Sequence, residues 1–478
     1  MTSLLKRVKP VLGLSAASLL LAACTLTPNY ERPQAPMSEN WDTTTGAVTS
    51  SVGTLGWQGF VVDEQLRGLI QLALQNNRDL RQALLNVDAV AAQYRIQRAE
   101  RVPGIGAQAS ATRQRQPSDM SLTGDSQIQE NYQIGLGLTA FELDLFGRVR
   151  NMTEAQWQTY LATEQNARSA RISLVAAVIQ TYLAYDSAQQ RYQLTSQTLE
   201  SRELSLNLIA RQRQAGTASA LDHEEARSLV EQARAELQRG EREVRQAANT
   251  LTLLAGSNPE SYLRQRSAAG VLLVQELEPG MPSELLIYRP DIVAAEHQLR
   301  ARNADIGAAR AAFLPRISLT GMFGLSSVEL SNLFESDQRS WSFMPQLTLP
   351  LFDAGRNRAN LDLAAVRNDM AVAAYEGTIQ TAFREVADAL AATDTLRREE
   401  DSRRALVQSS TRALALSEAR YRAGVDNHLR YLDAQRQDFV NQVTLIDIAT
   451  QRQVALTELF KALGGGWSAG TEVAGLQQ

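Results

Sequence analysis

The 478-residue chain holds one cysteine and three histidines. A lone thiol forms no intrachain disulfide, so no bridge staples this fold. His223, His297 and His428 are scattered, and His223-Glu224-Glu225-Ala226-Arg227 lacks the second histidine of a zinc-peptidase helix. A glycine-lysine phosphate loop is missing, and Gly464-Gly465-Gly466 follows a helical run, where a C-terminal stop is the simpler role. Methionine is rare, 8 residues spread along the chain, which disfavours a sulfur-lined route for soft metals. A net charge of −4 leaves no basic face for nucleic acid. Beyond residue 24, no apolar run reaches the roughly 18 residues of a spanning helix. A chain of this kind that crosses a membrane does so with strands. These absences describe a non-enzyme without cofactor or metal.

What is present begins at the N-terminus. Lys6, Arg7 and Lys9 precede the short apolar core Val11 to Leu21, as in a secretory signal. The segment ends in Leu21-Ala22-Ala23-Cys24, which resembles a bacterial lipoprotein cleavage box. Lipidation of Cys24, by S-diacylglycerol and N-palmitoyl groups, explains the lone thiol better than structure does; an ordinary signal with an incidental cysteine is the alternative. Thr25 stands where inner-membrane lipoproteins typically carry Asp, which points to the outer membrane. Residues 1–23 are thus read as signal and 24–56, with Pro28, Pro33 and Pro36, as an extended tether.

The remainder reads as a tandem duplication. Asn77-Arg78-Asp79-Leu80 opens a helical run that ends at Pro103, and Arg289-Pro290-Asp291-Ile292 opens one that ends at Pro315. Asp79 and Asp291 are 212 positions apart, as are Pro103 and Pro315. Leu145-Phe146-Gly147-Arg148 answers Leu351-Phe352-Asp353-Ala354-Gly355-Arg356 loosely, and Gln214-Ala215-Gly216-Thr217 answers Arg422-Ala423-Gly424-Val425 at an offset of 208. The first repeat is set at 57–256 and the second at 289–463, with a linker at 257–288 and a tail at 464–478.

Each repeat reads helix, two strands, very long helix, tight turn, helix. Period-two alternation predicts strands at about 105–115, 131–141, 316–326 and 341–351. Ile317, Leu319, Phe323 and Leu325 share one face, while Tyr132, Ile134, Leu136 and Leu138 oppose Gln133, Gly135, Gly137 and Thr139. Segments of about ten residues with one apolar face suit a membrane β-barrel; a soluble hairpin on a helical body is the alternative. Four strands cannot close a barrel, since closure takes about eight, so several copies must pool theirs. Helices are predicted at 148–214, 219–255, 356–422 and 427–462. At about 1.5 Å per residue, each 67-residue run would reach roughly 100 Å. The flanking helix 64–102 can pair end to end with 219–255, and 291–314 with 427–462. Leu174, Val178, Tyr182, Tyr185 and Tyr192 form a stripe at helical spacing, read as packing core.

These motifs together resemble a known family. Pro28-Asn29-Tyr30-Glu31-Arg32-Pro33, Asn77-Arg78-Asp79-Leu80-Arg81, Glu142-Leu143-Asp144-Leu145-Phe146-Gly147-Arg148, Arg289-Pro290-Asp291, Ile306-Gly307-Ala308-Ala309-Arg310 and Leu432-Asp433-Ala434-Gln435-Arg436 are similar to TolC-like outer-membrane factors. The lipoprotein branch serving resistance-nodulation-division (RND) pumps is the nearest. The resemblance implies an α+β membrane protein: a homotrimeric, twelve-stranded transmembrane β-barrel continuous with a long periplasmic α-helical coiled-coil barrel. It implies a passive duct for drugs or other toxic small molecules, working with a periplasmic adaptor and an inner-membrane RND transporter. A protein-secretion duct of the same architecture, or a pore-less coiled-coil lipoprotein, are the competing functions.

The resemblance also assigns sites. Gly216 and Gly424 mark the two turns of the periplasmic tip that meets the adaptor, and Arg420 matches the family's Arg-x-x-x-Gly tip pattern. The first turn departs from it, with Gln212 at that spacing between Arg211 and Arg213. Leu429, Asp433 and Arg436, at i, i+4 and i+7, share one helical face, and matching residues in the family line the constricted tip. Ordinary helix packing with a solvated charged face is the plainer account of that stripe.

Overall fold

The computed structural model describes residues 26–36, 56–121, 124–263, 272–277 and 284–465. The signal segment, Cys24, most of the tether, the middle of the linker and the tail beyond residue 465 lie outside the described residues. The chain divides into two compact units. One takes residues up to 34, 86–164 and 294–376; the other takes 35–85, 165–293 and those from 377 onward.

Seven helices carry most of the chain: α1 Glu64–Asn76, α2 Arg78–Ala99, α3 Arg148–Gln214, α4 Ala220–Ala255, α5 Pro290–Ala311, α6 Arg356–Arg422 and α7 His428–Ala462. The run expected as one helix over 64–102 is two, because Asn77 takes an extended conformation between α1 and α2. Its side chain makes the break favourable. Oδ1 accepts from the Leu80 amide at 2.8 Å, capping α2, while Nδ2 donates to the Leu254 carbonyl at 3.0 Å near the end of α4. Buried Arg289 does the same work at the start of α5. It donates to the Ala462 carbonyl from Nη1 at 3.0 Å and to Glu385 from Nη2 at 2.8 Å. The short helices therefore meet end to end, in both cases within the second unit, through one polar side chain that satisfies a terminal carbonyl.

Short-range chemistry sets the other boundaries. Ser219 and Asp222 form a reciprocal capping box at the start of α4, and the Asn427 side chain accepts from the Arg430 amide at the start of α7. The second unit is held by an apolar core of Phe60, Leu66, Leu69, Ile70, Leu174, Val178, Ile179, Tyr182, Leu251, Leu273, Leu456 and Phe460. Phe60 and Phe460 stack at 4.3 Å between ring centres. Each such side chain contributes about 1.5–3 kcal/mol when fully buried. The Leu174–Tyr182 stripe enters this core, and Leu273 reaches it through an antiparallel bridge to Val61.

The first unit contains a four-stranded antiparallel meander in the order β1 Ile105–Gln116, β2 Gln127–Leu143, β3 Arg316–Ser327 and β4 Arg339–Thr348. The last strand starts two residues earlier than expected and stops at Thr348 rather than 351. Pro350 lacks an amide hydrogen and restrains Leu349, which ends the ladder. The register carries one apolar face across the sheet: Ala107 opposes Leu136, Leu136 opposes Phe323, and Phe323 opposes Trp341. Phe323 and Trp341 remain 67% and 75% exposed, so no described residue covers them.

β2 runs past its expected end at 141 because of a bulge between Leu138 and Phe141, where Ala140 has φ +47°. One inserted residue shifts the alternation from even to odd positions. Phe141 and Leu143 thereby pair with Leu319 and Ile317 and rejoin the apolar face. The periodicity of the sequence breaks at this point, and the bulge is the physical reason.

β2 and β3 approach closely at a pair of glycines. A methyl group added at Gly324 would lie 2.1 Å from the Ile134 carbonyl oxygen and 2.5 Å from the Gly135 Cα. Gly324→Val is expected to cost about 1–3 kcal/mol by forcing these backbones apart. A thermal melt of the detergent-extracted protein checks this, and wild-type stability would contradict it.

Candidate functional site

The residues singled out from sequence fall, in the second unit, on two helical hairpins, α3–α4 and α6–α7. Each hairpin reverses at a glycine in the left-handed region, Gly216 at φ +78° and Gly424 at φ +72°. No heavy atom lies within 4 Å of an added Cβ at either position. Backbone conformation, not crowding, therefore selects glycine here. The turns close alike: the Thr217 amide donates to the Gln212 carbonyl at 2.9 Å, and the Val425 amide to the Arg420 carbonyl at 3.0 Å.

Their side chains differ. Arg420 grips Asp426 across the second turn, with Nε to Oδ2 at 2.6 Å and Nη2 to Oδ1 at 3.1 Å. At the first turn the Thr217 hydroxyl donates to the Gln212 carbonyl at 3.0 Å instead. The two turns are joined by a contact that pattern reading missed, the Tyr421 hydroxyl donating to Gln212 Oε1 at 2.9 Å. Tyr421 stacks on Tyr431 at 5.9 Å and meets the His428 ring edge-on at 4.9 Å. His428 is buried, and burial pushes its imidazole below the usual range, against the opposing pull of Asp222. The Tyr421–His428–Tyr431 spacing wraps around a turn into a new helix, so no single-helix periodicity reveals this cluster.

Leu429, Asp433 and Arg436 do share one face of α7, and it is an exposed face. Leu429 is 54% exposed, as is Val440 at 50%, one further step along the same stripe. Asp433 and Arg436 form an ion pair with both side chains mostly in solvent, so it contributes only about 0–1 kcal/mol. The opposite face is packed: Gln435 donates to the Ser201 hydroxyl at 3.1 Å, and buried Asp438 accepts from Ser410 at 2.7 Å and Thr411 at 2.9 Å. A helix anchored by polar contacts on one side thus presents leucine, aspartate, arginine and valine on the other. Among the described residues, no group of three His, Cys, Asp or Glu side chains is placed to hold a metal. Nor is any described helix long and apolar enough to cross a membrane.

The Arg420 guanidinium holds the Asp426 carboxyl below its ordinary value. With the native value lowered, the clamp stabilises the turn fully above the usual aspartate range near 3.9 and is lost as pH falls through the lower native value. Arg420→Ala is expected to lower the protection of the Val425 and Asp426 amides from exchange at neutral pH and to remove the further loss of protection that the wild type shows as Asp426 protonates in acid. Unchanged exchange would show that the turn does not rely on the clamp.

Comparison with known proteins places these elements. A family model described as "Outer membrane efflux protein" matches residues 69–257 and 281–465. The chain is 59% identical to outer membrane protein OprJ of Pseudomonas aeruginosa over 97% of both chains. It is 44% identical to the toluene efflux pump outer membrane protein TtgC of Pseudomonas putida over 96% of both. A crystal structure of a membrane protein from Pseudomonas aeruginosa superposes with a TM-score of 0.89 at 60% identity, covering 93% of this chain and 98% of that one. The open state of the Neisseria gonorrhoeae MtrE outer membrane channel superposes at 0.83 with 37% identity, covering 93% and 98%. The chain belongs to the outer membrane efflux protein family, whose members are channels of efflux pumps and not enzymes.

Proposed function

We propose that this efflux channel is a homotrimer in which three four-stranded sheets close one twelve-stranded barrel in the outer membrane. The observation that carries this reading is the meander itself. β1 and β4 each pair on one side only, and the row Ala107–Leu136–Phe323–Trp341 turns an uncovered apolar face outward. Unpaired strand edges in hydrocarbon cost several kcal/mol per orphaned group, and pooling edges between copies removes both. The helices then continue the passage through the periplasm as a coiled-coil barrel. A tandem duplication accounts for the two 67-residue helices, α3 and α6, each followed by a glycine turn.

In this reading the tip turns, with Gly216, Arg420 and Gly424, meet a periplasmic adaptor, and an inner-membrane RND transporter drives export through the passive duct. Relatives named for toluene, solvent and antibiotic efflux point to amphiphilic organic toxicants as the cargo. Cys24 carries the S-diacylglycerol and N-palmitoyl anchor. This reading is supported by the position of the chain that follows it. The Leu26 carbonyl accepts from Arg310 at 3.1 Å near the end of α5, five residues before β3 begins. Pro28 accepts from Asn303 at 2.9 Å, and Arg32 pairs with buried Glu296. Residue 26 is thereby held beside the base of the sheet, where an acyl chain enters lipid. Mass spectrometry of the mature protein should show the added lipid, and Cys24→Ala should abolish it.

Repeated around the threefold axis, Leu429 forms an apolar ring and Asp433 with Arg436 a ring of weak ion pairs that narrows the periplasmic end. Purified protein in planar bilayers is expected to pass ion current. Asp433→Ala combined with Arg436→Ala is expected to raise the closed-state conductance several-fold. No current from the wild type would overturn the channel, and an unchanged conductance in the double variant would overturn this gate alone.

A further inference from the structure

A cleft of about 230 Å³ opens in the second unit between α3, α4 and α7. Four arginines, Arg191, Arg202, Arg239 and Arg436, and two glutamates, Glu236 and Glu243, line it beside an apolar side of Phe439, Val440 and Val443. Three of these arginines have carboxylate partners. Arg191 donates to Asp447 at 2.5 Å and to Glu243 at 2.8 Å. Arg239 pairs with Glu243 at 3.0 Å and Glu236 at 3.4 Å, and Arg436 pairs with Asp433.

Arg202 differs. It is 2% exposed, and its Nη1 donates to the Leu229 carbonyl at 2.9 Å. The guanidinium sits 5.3 Å from the centre of the Phe439 ring, and its buried Nε finds no acceptor. Among the described residues, no carboxylate pairs with it. A guanidinium carries five N–H donors in a planar fork matched to carboxylate and other oxyanions. Burying that charge without a counter-charge is unfavourable. Burial, together with the nearby Arg436 charge, makes the environment resist the cation. An entering anion relieves both effects, and the phenyl ring and two valines offer apolar contact next to it.

We propose that this cleft recognises an amphipathic organic monoanion, a carboxylate or sulfonate whose acidic group pairs with Arg202 and whose apolar body packs on Phe439, Val440 and Val443. Ligand pockets span about 300–1,000 Å³, so this smaller cleft suits a body of one or two rings or a short chain. Arg436 and Val440 continue the exposed stripe from Leu429 and Asp433. On the channel reading given above, the ligand therefore sits in the wall of the duct beside the constriction. The proposal rests on that reading for access to the site, though not for binding itself.

Titration calorimetry of naphthalene-2-sulfonate against the detergent-extracted full-length protein tests this, with uncharged 2-naphthalenemethanol as the comparison. The sulfonate is expected to bind saturably to the wild type, about tenfold more weakly to Arg202→Gln, and at intermediate strength to Arg202→Lys. The alcohol should bind weakly and equally to all three. Should Arg202→Gln fail to fold, Val443→Glu provides a second variant. It places a carboxylate in the cleft, so it should abolish sulfonate binding and raise the melting temperature. Equal sulfonate affinity in wild type and Arg202→Gln, or equally tight binding of the alcohol, would overturn the proposal. So would loss of oligomer in Arg202→Gln with sulfonate affinity unchanged, which would make Arg202 a subunit contact. Bilayer current from the same wild-type preparation reports separately on the channel.

Discussion

Backbone amide and carbonyl groups placed in hydrocarbon need hydrogen-bond partners, and a four-stranded meander leaves two edges without them. Most of this chain's design answers that constraint. β1 and β4 each pair on one side only, the face that includes Leu136, Phe323 and Trp341 is exposed, and no described helix is long and apolar enough to cross a bilayer. On the proposed reading, copies that share edges close the sheet.

The bulge at Ala140 serves the same constraint on a local scale. Without the inserted residue, Phe141 and Leu143 would point to the polar face, and the apolar row would break below Leu138. With it, they pair against Leu319 and Ile317, and the apolar face reaches the base of the sheet. There Glu142, on the other face, accepts from Arg148 at 2.7 Å and from Arg316 at 2.5 Å. One carboxylate thus ties the end of β2 to the first residue of α3 and the first residue of β3. The strand-to-helix junction is fixed by charge where the apolar pattern ends.

Much of this is legible in the sequence. The boundaries of the long helices are, because Gly216 and Gly424 mark where the chain must reverse; the local caps that start the next helices, Ser219 with Asp222 and Asn427 with Arg430, are features the structure adds. The strands were legible as far as their alternation held, and Leu138 is where it stopped. What escaped were features made by non-local partners. A helical run is legible as opening at Asn77, but not the reach of the Asn77 side chain to the Leu254 carbonyl that separates it from the preceding helix. Tyr421 meets Gln212, 209 positions away, and Arg202 is exceptional because, among the described residues, no carboxylate pairs with it in a cleft built from three helices. Leu429, Asp433 and Arg436 could be grouped from their spacing, whereas their exposure required the packing of Gln435 and Asp438 on the opposite side.

The dependence of the whole on shared strand edges is open to direct measurement. Native mass spectrometry of the mature protein, released gently from detergent, counts copies per particle without assuming a pore. The account predicts a single dominant species of three chains that resists dilution. A stable one-chain species whose β-sheet signal persists in water would contradict it.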